Sequence, residues 1–494
     1  MTLPPSLPPG AGTLWTHDGA PSHRPLEAPA RADVVVVGAG IVGLSLALRL
    51  AERGVDVVVL EAHRVGDGVS GSSTAKVSAL HGTHYSRITR TYGPEVAAAY
   101  GAAQRVGSAQ VREWLLRHGS DVERSTVTAY TATSAPSGTT TIEAEWEAAS
   151  AAGLPVQHHV DTDVGLPFAT PAAVSLADQM IIDPRAYLRA LAGAVVDHGG
   201  RVHEDTPMTG LTRQEAVETA RGPVRGDHVV LATGYPNVDR SGWFARLSVS
   251  RSYVIAVRVG DAHRVPSDAY LGIDEPGWSL RPAVDPRDGS ALLLVGGGAH
   301  FPGRTHSELA HQERLRDFAV RHFGATEVVA RWSAQDQTTA DGLPAHGPMW
   351  GLPTRVQIAT GFDKWGFTNG TAAAVAMADG ITAERPEWAR PFDARRVNAS
   401  VSLPTMLSNN ARVVAEAAGG WARKLGDELR ASPVPLPRRG NGTGAAKAPV
   451  CTHLGGVLAW NDAEESWDCP LHGSRFSADG AVLQGPARRA LPGR

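Results

Sequence analysis

The stretch Asp33-Val34-Val35-Val36-Val37-Gly38-Ala39-Gly40-Ile41-Val42-Gly43 decides the fold of the long N-terminal part of this chain. Its continuous β-branched run is short enough for a strand buried on both faces of a parallel sheet. Residues 41–53 follow as a helix, with Leu44, Leu48 and Ala51 at helical spacing and Gly54 as its stop. A second buried strand at residues 57–60 completes a βαβ unit. In that setting Gly38 and Gly40 let the backbone turn tightly and approach a pyrophosphate. Gly43 lets helix and strand pack closely, and the helix N-terminus at Ile41 faces the phosphate charge. Glu61, with Ala62 after it, ends the second strand where the ribose hydroxyls of an adenine dinucleotide would be held. The motif alone does not choose FAD over NAD.

Working outward, 494 residues with 42% hydrophobic and 20% charged side chains suit a globular chain of two or three domains. A formal charge of -3 supplies no basic stripe for nucleic acid or an anionic membrane. Residues 1–30 form a proline-rich leader without the basic and apolar regions of a secretory signal. No apolar run approaches the roughly 20 residues of a membrane span, so the expected location is cytoplasmic.

Further along, residues 187–198 read as a helix and 227–232 as a buried strand, while 254–259 and 292–295 read as strands of a separate, more open sheet. Residues 356–359 are a strand and 370–377 an alanine-rich helix. An amphipathic helix at about 407–429, with Val414, Ala417, Trp421 and Leu425 on one face, precedes a plain linker at 433–447. The spacing places a domain boundary near residue 431.

Four stretches together resemble the D-amino-acid-oxidase-like family of FAD-dependent oxidoreductases, which includes glycine, sarcosine and γ-glutamylputrescine oxidases. They are the fingerprint, Gly71-Ser72-Ser73-Thr74-Ala75-Lys76-Val77, Ala232-Thr233-Gly234, and Ala359-Thr360-Gly361-Phe362 leading into Lys364-Trp365-Gly366-Phe367-Thr368-Asn369-Gly370. The resemblance implies FAD, with Ser72, Ser73, Thr74 and Lys76 along the ribityl chain and flavin edge. Met208, in the strand after His203, would meet adenine through its backbone. Ala232, Thr233, Gly234, Gly361, Trp365 and Gly366 complete the cofactor set. Asn369 and Gly370 would open a helix whose positive end points at the flavin pyrimidine. Some family members bind flavin covalently. Here Thr74 stands where a linking histidine would be expected, and His81 and His84 read as solvated loop residues, so non-covalent FAD is expected.

The family's chemistry implies oxidation of a C–N bond in a small amine or amino acid by hydride transfer to flavin. Arg281, in Ser279-Leu280-Arg281-Pro282, is the first candidate for a carboxylate clamp, because a guanidinium fork matches a carboxylate. Tyr253 is the second candidate, as a wall or hydroxyl donor. Lys364 would influence oxygen reactivity or pair with Asp363.

The chain's two cysteines each stand just before a histidine, in Cys451-Thr452-His453 and Cys469-Pro470-Leu471-His472, with fifteen residues between the pairs. Such a set is open to zinc. The full strings Cys451-Thr452-His453-Leu454-Gly455 and Cys469-Pro470-Leu471-His472-Gly473-Ser474, with Gly485-Pro486-Ala487 beyond, instead resemble the ligand and proline loops of Rieske domains. There two thiolates hold one iron of a 2Fe-2S cluster and two imidazoles the other. Gly456 and Leu471 stand where respiratory Rieske proteins carry a disulfide, and Phe476 replaces a tyrosine donor, which implies a lower potential. The strands that usually support the ligand loops are not legible.

The expectation is therefore an α/β FAD-binding Rossmann-type domain with an interleaved α+β substrate domain, plus a small, truncated all-β Rieske module. The leader covers 1–30 and the oxidoreductase 31–385. Its FAD part is about 31–90, 180–240 and 335–385, and its substrate part about 91–179 and 241–334. The helix and linker cover 386–447 and the module 448–494. The module either folds against the flavin domain and passes electrons through its cluster to an acceptor protein, the favoured reading, or is vestigial in a plain peroxide-forming oxidase. A non-catalytic flavin-binding sensor is the alternative from another class.

Overall fold

The computed structural model describes residues 6–8, 11–15, 22–238, 242–429 and 449–492. The expected linker at 433–447 and the boundary near 431 lie outside those residues. Among the described residues the strands form sheets of eight, nine and four, and no helix is long and apolar enough to cross a membrane.

The valine run becomes the strand Ala30–Val37, and its period of two feeds two cores. Val34 and Val36 pack with Leu44 and Leu48 of the helix Ile41–Ala51, whereas Val35 and Val37 pack with Met208 and Leu231 on the other face. The strand pairs in parallel with Val57–Leu60 on one side and Gly222–Leu231 on the other. Val356–Thr360 and Ala345–Pro348 extend the sheet beyond Gly222–Leu231, and Arg201–His203 closes the opposite edge. The helices Pro184–Asp197 and Gly366–Thr382 cover the same face as Ile41–Ala51.

The second sheet runs in the order Ala325–Thr339, Leu247–Val259, Ala291–His300, Trp278–Val284, Ala269–Gly272, Arg124–Thr133, Ala172–Ile182 and Lys76–Val77. Alternation again sorts its side chains. Ile255, Leu280 and Val295 join one core beneath the helix Leu309–Phe323, while Ala256, Leu294 and Trp332 join Leu14 and Trp15 of the leader on the other face.

The C-terminal strands Ala459–Asn461, Ser466–Asp468, Arg475–Ser477 and Val482–Gln484 form a small antiparallel sheet over a core of Cys451, Leu458, Cys469, Leu471 and Phe476. Support comes from elsewhere in the chain: Val413 and Ala417 of the helix Ala399–Leu429 pack on that core. Half of the expected helix face meets the module. Ala417, with Val413, packs on its core and Trp421 Nε1 donates to the Gly455 carbonyl at 3.1 Å, while Val414 and Leu425 are exposed.

Two other local readings are corrected. Met208 lies in the irregular stretch between the strands Arg201–His203 and Gly210–Leu211 rather than in a strand. The helix expected to open at Asn369 begins at Gly366, because Gly366 to Thr368 already continue its hydrogen-bonded turn.

Candidate functional site: a dinucleotide cradle and a two-by-two cysteine–histidine centre

The fingerprint glycines are dictated by contact. A Cβ on Gly43 would lie 1.9 Å from the Gly38 carbonyl oxygen, and one on Gly38, where φ is +104°, would lie 2.6 Å from that of Ala232. Gly40 caps the helix with no side-chain hydrogen bond, and no acid occupies the first turn, so the helix's own residues leave its positive end uncompensated. Ser70 Oγ accepts the Ile41 N–H at 3.1 Å. The Glu61 carboxylate accepts the N–H groups of Ala39 at 2.7 Å and His63 at 3.0 Å. Burial raises its pKa against those bonds. A glycine-lined turn at a helix N-terminus, with an acid at the end of the next strand, fits the pyrophosphate and ribose of FAD.

Ala232 donates its N–H to Val37 at 2.8 Å, and the Thr233 hydroxyl donates to the Tyr235 carbonyl at 2.8 Å. Gly234 and Gly361 both have positive φ, and a Cβ on Gly361 would strike Thr339 Cγ2 at 2.5 Å. Ala62 follows Glu61 at the end of the strand Val57–Leu60.

Residues 72–76 lead into the strand Lys76–Val77 at the edge of the nine-stranded sheet. The Ser72 carbonyl accepts from Trp332 Nε1 at 2.8 Å, the Ser73 carbonyl from Trp15 Nε1 at 3.3 Å, and the Thr74 carbonyl from Arg281. Lys76 Nζ donates to Ser279 Oγ at 2.5 Å and to the Tyr270 carbonyl at 3.2 Å. Burial, with Arg281 and Lys364 nearby, lowers its pKa to about 7.

At the other end, the helix Gly366–Thr382 meets the fingerprint helix. A Cβ on Gly370 would lie 3.1 Å from both Ile41 Cγ2 and Val42 Cγ2, so Gly370 serves helix packing. The Asn369 side chain is buried, accepting from Gln104 Nε2 at 2.6 Å and donating to Tyr100 Oη at 3.3 Å. Its amide thus holds the helix end in place. Trp365 stacks on His81 at 4.2 Å between ring centroids.

His81, expected in solvent, is fully buried against Tyr100 Oη and the Ser78 carbonyl, each 2.7 Å away. Burial first, then His84, hold it well below the ordinary histidine range, hence neutral. The expected Lys364–Asp363 pair is not formed: Asp363 contacts His84 at 3.2 Å, Arg87 at 3.3 Å and the Thr338 hydroxyl at 2.9 Å.

Arg281 and Tyr253 do not share a site. Arg281 registers with Leu294 and Ala256, on the face that carries Trp15 and Trp332. Its Nη1 donates to the Thr74 and Ile182 carbonyls and its Nε to that of Pro282. Tyr253 shares the opposite face with Ile255 and Leu280, where it stacks against His300 and His311 at 5.6 and 5.8 Å. Sequence reasoning passed over Trp15, Trp332 and Gln104. Their only prior signal is residue type, because each partner is distant in the chain.

The two ligand loops are built alike. Cys451 N–H donates to the Gly456 carbonyl and Cys469 N–H to that of Ser474, each at 2.8 Å. Gly455 and Gly473, at φ +73° and +77°, return N–H bonds of 3.1 Å to the two cysteine carbonyls. Gly456 brings the loops together, since its Cβ would sit 2.8 Å from Leu471 and 3.0 Å from Cys469 Sγ. The ligands fall two and two. The buried thiols hydrogen-bond each other, which pulls Cys451 down and pushes Cys469 up. The His453 and His472 rings lie 5.3 Å apart.

Among the described residues no three such side chains converge on one point. Both ring nitrogens of His472 are buried without a hydrogen-bond partner, and burial lowers its pKa to about 4. Neutral imidazoles and a paired thiol set fit a two-iron cluster. Ser474 Oγ accepts the Ala487 N–H at 3.0 Å, tying the proline loop to the second ligand loop.

The strand Ala325–Thr339 joins the two centres. Its odd residues meet the module: Arg331 donates to the Ala463 carbonyl at 2.6 Å, Ser333 binds Glu464 at 2.7 and 3.1 Å, and Gln335 Nε2 donates to the Gly473 carbonyl at 3.0 Å. Its even residue Trp332 meets Ser72. Beside it, buried Arg251 pairs with Asp468, and Arg304 donates to the Pro470 carbonyl at 2.8 Å. Phe244 packs edge-on against His472.

Residues 33–380 match the family described as FAD dependent oxidoreductase, and residues 421–493 the Rieske [2Fe-2S] domain. The chain is 31% identical, over 97% of its length and 96% of the relative's, to YhfW of Bacillus subtilis (strain 168), whose name includes Rieske 2Fe-2S iron-sulfur protein. It is 26% identical to γ-glutamylputrescine oxidoreductase of Escherichia coli (strain K12), across 75% of this chain and 86% of that one. The crystal structure of glycine oxidase from Geobacillus kaustophilus superposes on 75% of this chain and all of its own, with a TM-score of 0.62 at 20% identity.

Proposed function

The chain belongs to the FAD dependent oxidoreductase family and carries a Rieske domain; from that premise we propose that it oxidises a small amine or amino acid at a C–N bond and exports the electrons through its cluster. The observation that carries this reading is the strand Ala325–Thr339. Neighbouring residues, Trp332 and Ser333, bind the segment beside the expected flavin edge and the cluster module respectively.

When bound, the flavin accepts a hydride and the cluster passes electrons singly. The protein's part is to orient and to exclude water. Trp332 is hydrogen-bonded to Ser72 and Lys76 to Ser279, which fixes the two ends of the segment beside the expected flavin edge; burial of Asp336 raises its pKa to about 6, opposed by the charge of Lys364. The loop carrying Cys469 and His472 is held against the other face of the same sheet, where Gln335 Nε2 donates to the Gly473 carbonyl. Electrons would therefore cross one sheet rather than wait for a swinging domain.

Mixing the full-length protein anaerobically with a panel of amines and amino acids tests this. A substrate should bleach the flavin and bring up the axial low-temperature EPR signal of a reduced Rieske cluster together. Bleaching without that signal in iron-replete protein would refute export through the cluster, and no bleaching with any C–N donor would refute the activity.

A further inference from the structure

The family match begins at residue 33, yet the leader before it reaches the flavin-edge segment. Gly12 donates its N–H to the Arg331 carbonyl at 2.9 Å and forms an antiparallel bridge with that residue, while Arg331 Nε donates to the Pro8 carbonyl at 2.8 Å. This added edge pairing fixes the direction of residues 11–15. Leu14 and Trp15 consequently enter the core made by Val254, Ala256, Leu292, Leu294 and Trp332. The Trp15 indole N–H then reaches the Ser73 carbonyl, its ring stands 6.5 Å edge-on from Trp332, and the Arg281 guanidinium lies 5.1 Å over it.

Three successive carbonyls, of Ser72, Ser73 and Thr74, are thus each taken by a side chain from a different part of the chain. Two are indoles and one a guanidinium, all buried or nearly so. Fixing carbonyl directions fixes the peptide planes, and with them the N–H groups that the segment presents on its other side. The Arg281 fork is then occupied by backbone, and Trp15 covers it from the leader side.

We propose that the leader is a working part of the flavin pocket, with Trp15 a positioning residue that, together with Trp332 and Arg281, locks residues 72–74 against the flavin. The inference rests on the FAD reading above and extends it to a segment that lies ahead of the family match. It also gives Arg281 a role other than clamping a substrate carboxylate. The leader meets the cluster module as well. Gly12, Ser72, Trp332, Ser333, Glu464 and Arg475 line one cleft of about 280 Å³, so the leader, Ser72 and the module adjoin there.

The test compares full-length Trp15→Phe, Trp332→Phe and Leu14→Ala. Trp15→Phe keeps an aromatic ring but loses the N–H, and one such bond corresponds to roughly a two- to tenfold weakening of FAD binding. The readouts are the FAD dissociation constant, the band shape of the flavin absorption spectrum, and the melting temperature with flavin removed. Trp15→Phe and Trp332→Phe should weaken FAD binding and shift the bands while leaving the flavin-free melting temperature near wild type. Leu14→Ala, which removes packing but no bond to the segment, should do the reverse. Unchanged affinity and spectrum in Trp15→Phe would overturn the proposal, as would equal flavin loss in Leu14→Ala. A wild-type protein that takes up no FAD would instead overturn the reading beneath it.

Discussion

Replacing Arg251 by methionine should loosen the cluster module from the flavin domain. The Arg251 and Asp468 side chains are 1% and 0% exposed, and the guanidinium also donates to Gln335 Oε1 at 2.9 Å, which in turn binds the Gly473 carbonyl. Burial alone would lower the Arg251 pKa, but the Asp468 and Glu464 carboxylates outweigh it and push it above the ordinary range. Methionine fills similar space without charge. Asp468 would keep only Asn461 Nδ2 at 2.9 Å and a distant Arg475 Nε at 3.9 Å, leaving a buried carboxylate largely unpaired.

Breaking one side of a buried pair costs about 3–5 kcal/mol, or roughly a hundred- to several-thousand-fold in the docking equilibrium. Asp468 immediately precedes Cys469, so the opened module should also lose metal. The assay is native-state hydrogen exchange across residues 459–484, with iron, sulfide and FAD counted on the same sample. Exchange should rise and iron fall while FAD stays. Arg251→Met with Asp468→Leu should recover most of the loss, because an apolar pair can replace a buried ion pair at little cost. Unchanged exchange and iron in the single variant, or a double variant no better than the single, would refute the reasoning.

Gly43→Ala places a Cβ 1.9 Å from the Gly38 backbone oxygen; the expected cost is about 3 kcal/mol or more, with loss of bound flavin in the purified protein. Asp462 accepts from the Ser307 hydroxyl and from the Glu308 and Leu309 N–H groups, capping the helix Leu309–Phe323 from the module side. Asp462→Ala should therefore cost about 1 kcal/mol, seen as about fivefold faster exchange at those two amides. Burial, with Asp468 and Asp462 nearby, raises the Glu308 carboxyl to about 8. The folded chain keeps this proton where the unfolded chain releases it. Stability from this group is thus full below about pH 4.3 and declines as pH rises toward the folded value. Urea titrations from pH 5 to 8 should show the decline in wild type and a flatter profile in Glu308→Gln.

The sequence by itself determined the elements whose signals are local. The valine run and its glycines specify a doubly covered strand, a tight turn and a close helix, and the structure returns them as Ala30–Val37, Ile41–Ala51 and Val57–Leu60. The two cysteine–histidine loops were equally legible, because each carries its own turn glycine. Tertiary structure alone decided how these parts face one another. His81 turned inward because Trp365 and Tyr100, distant in sequence, cover it. Arg281 and Tyr253 were separated because strand register set them on opposite faces, which residue type cannot reveal. The module's missing support comes from Arg251, Gln335 and the helix Ala399–Leu429. The pair Arg251–Asp468 joins residues 217 apart in the chain. Periodicity and turn chemistry are written within a few residues, whereas burial, register and docking depend on which distant surfaces exclude water from each other.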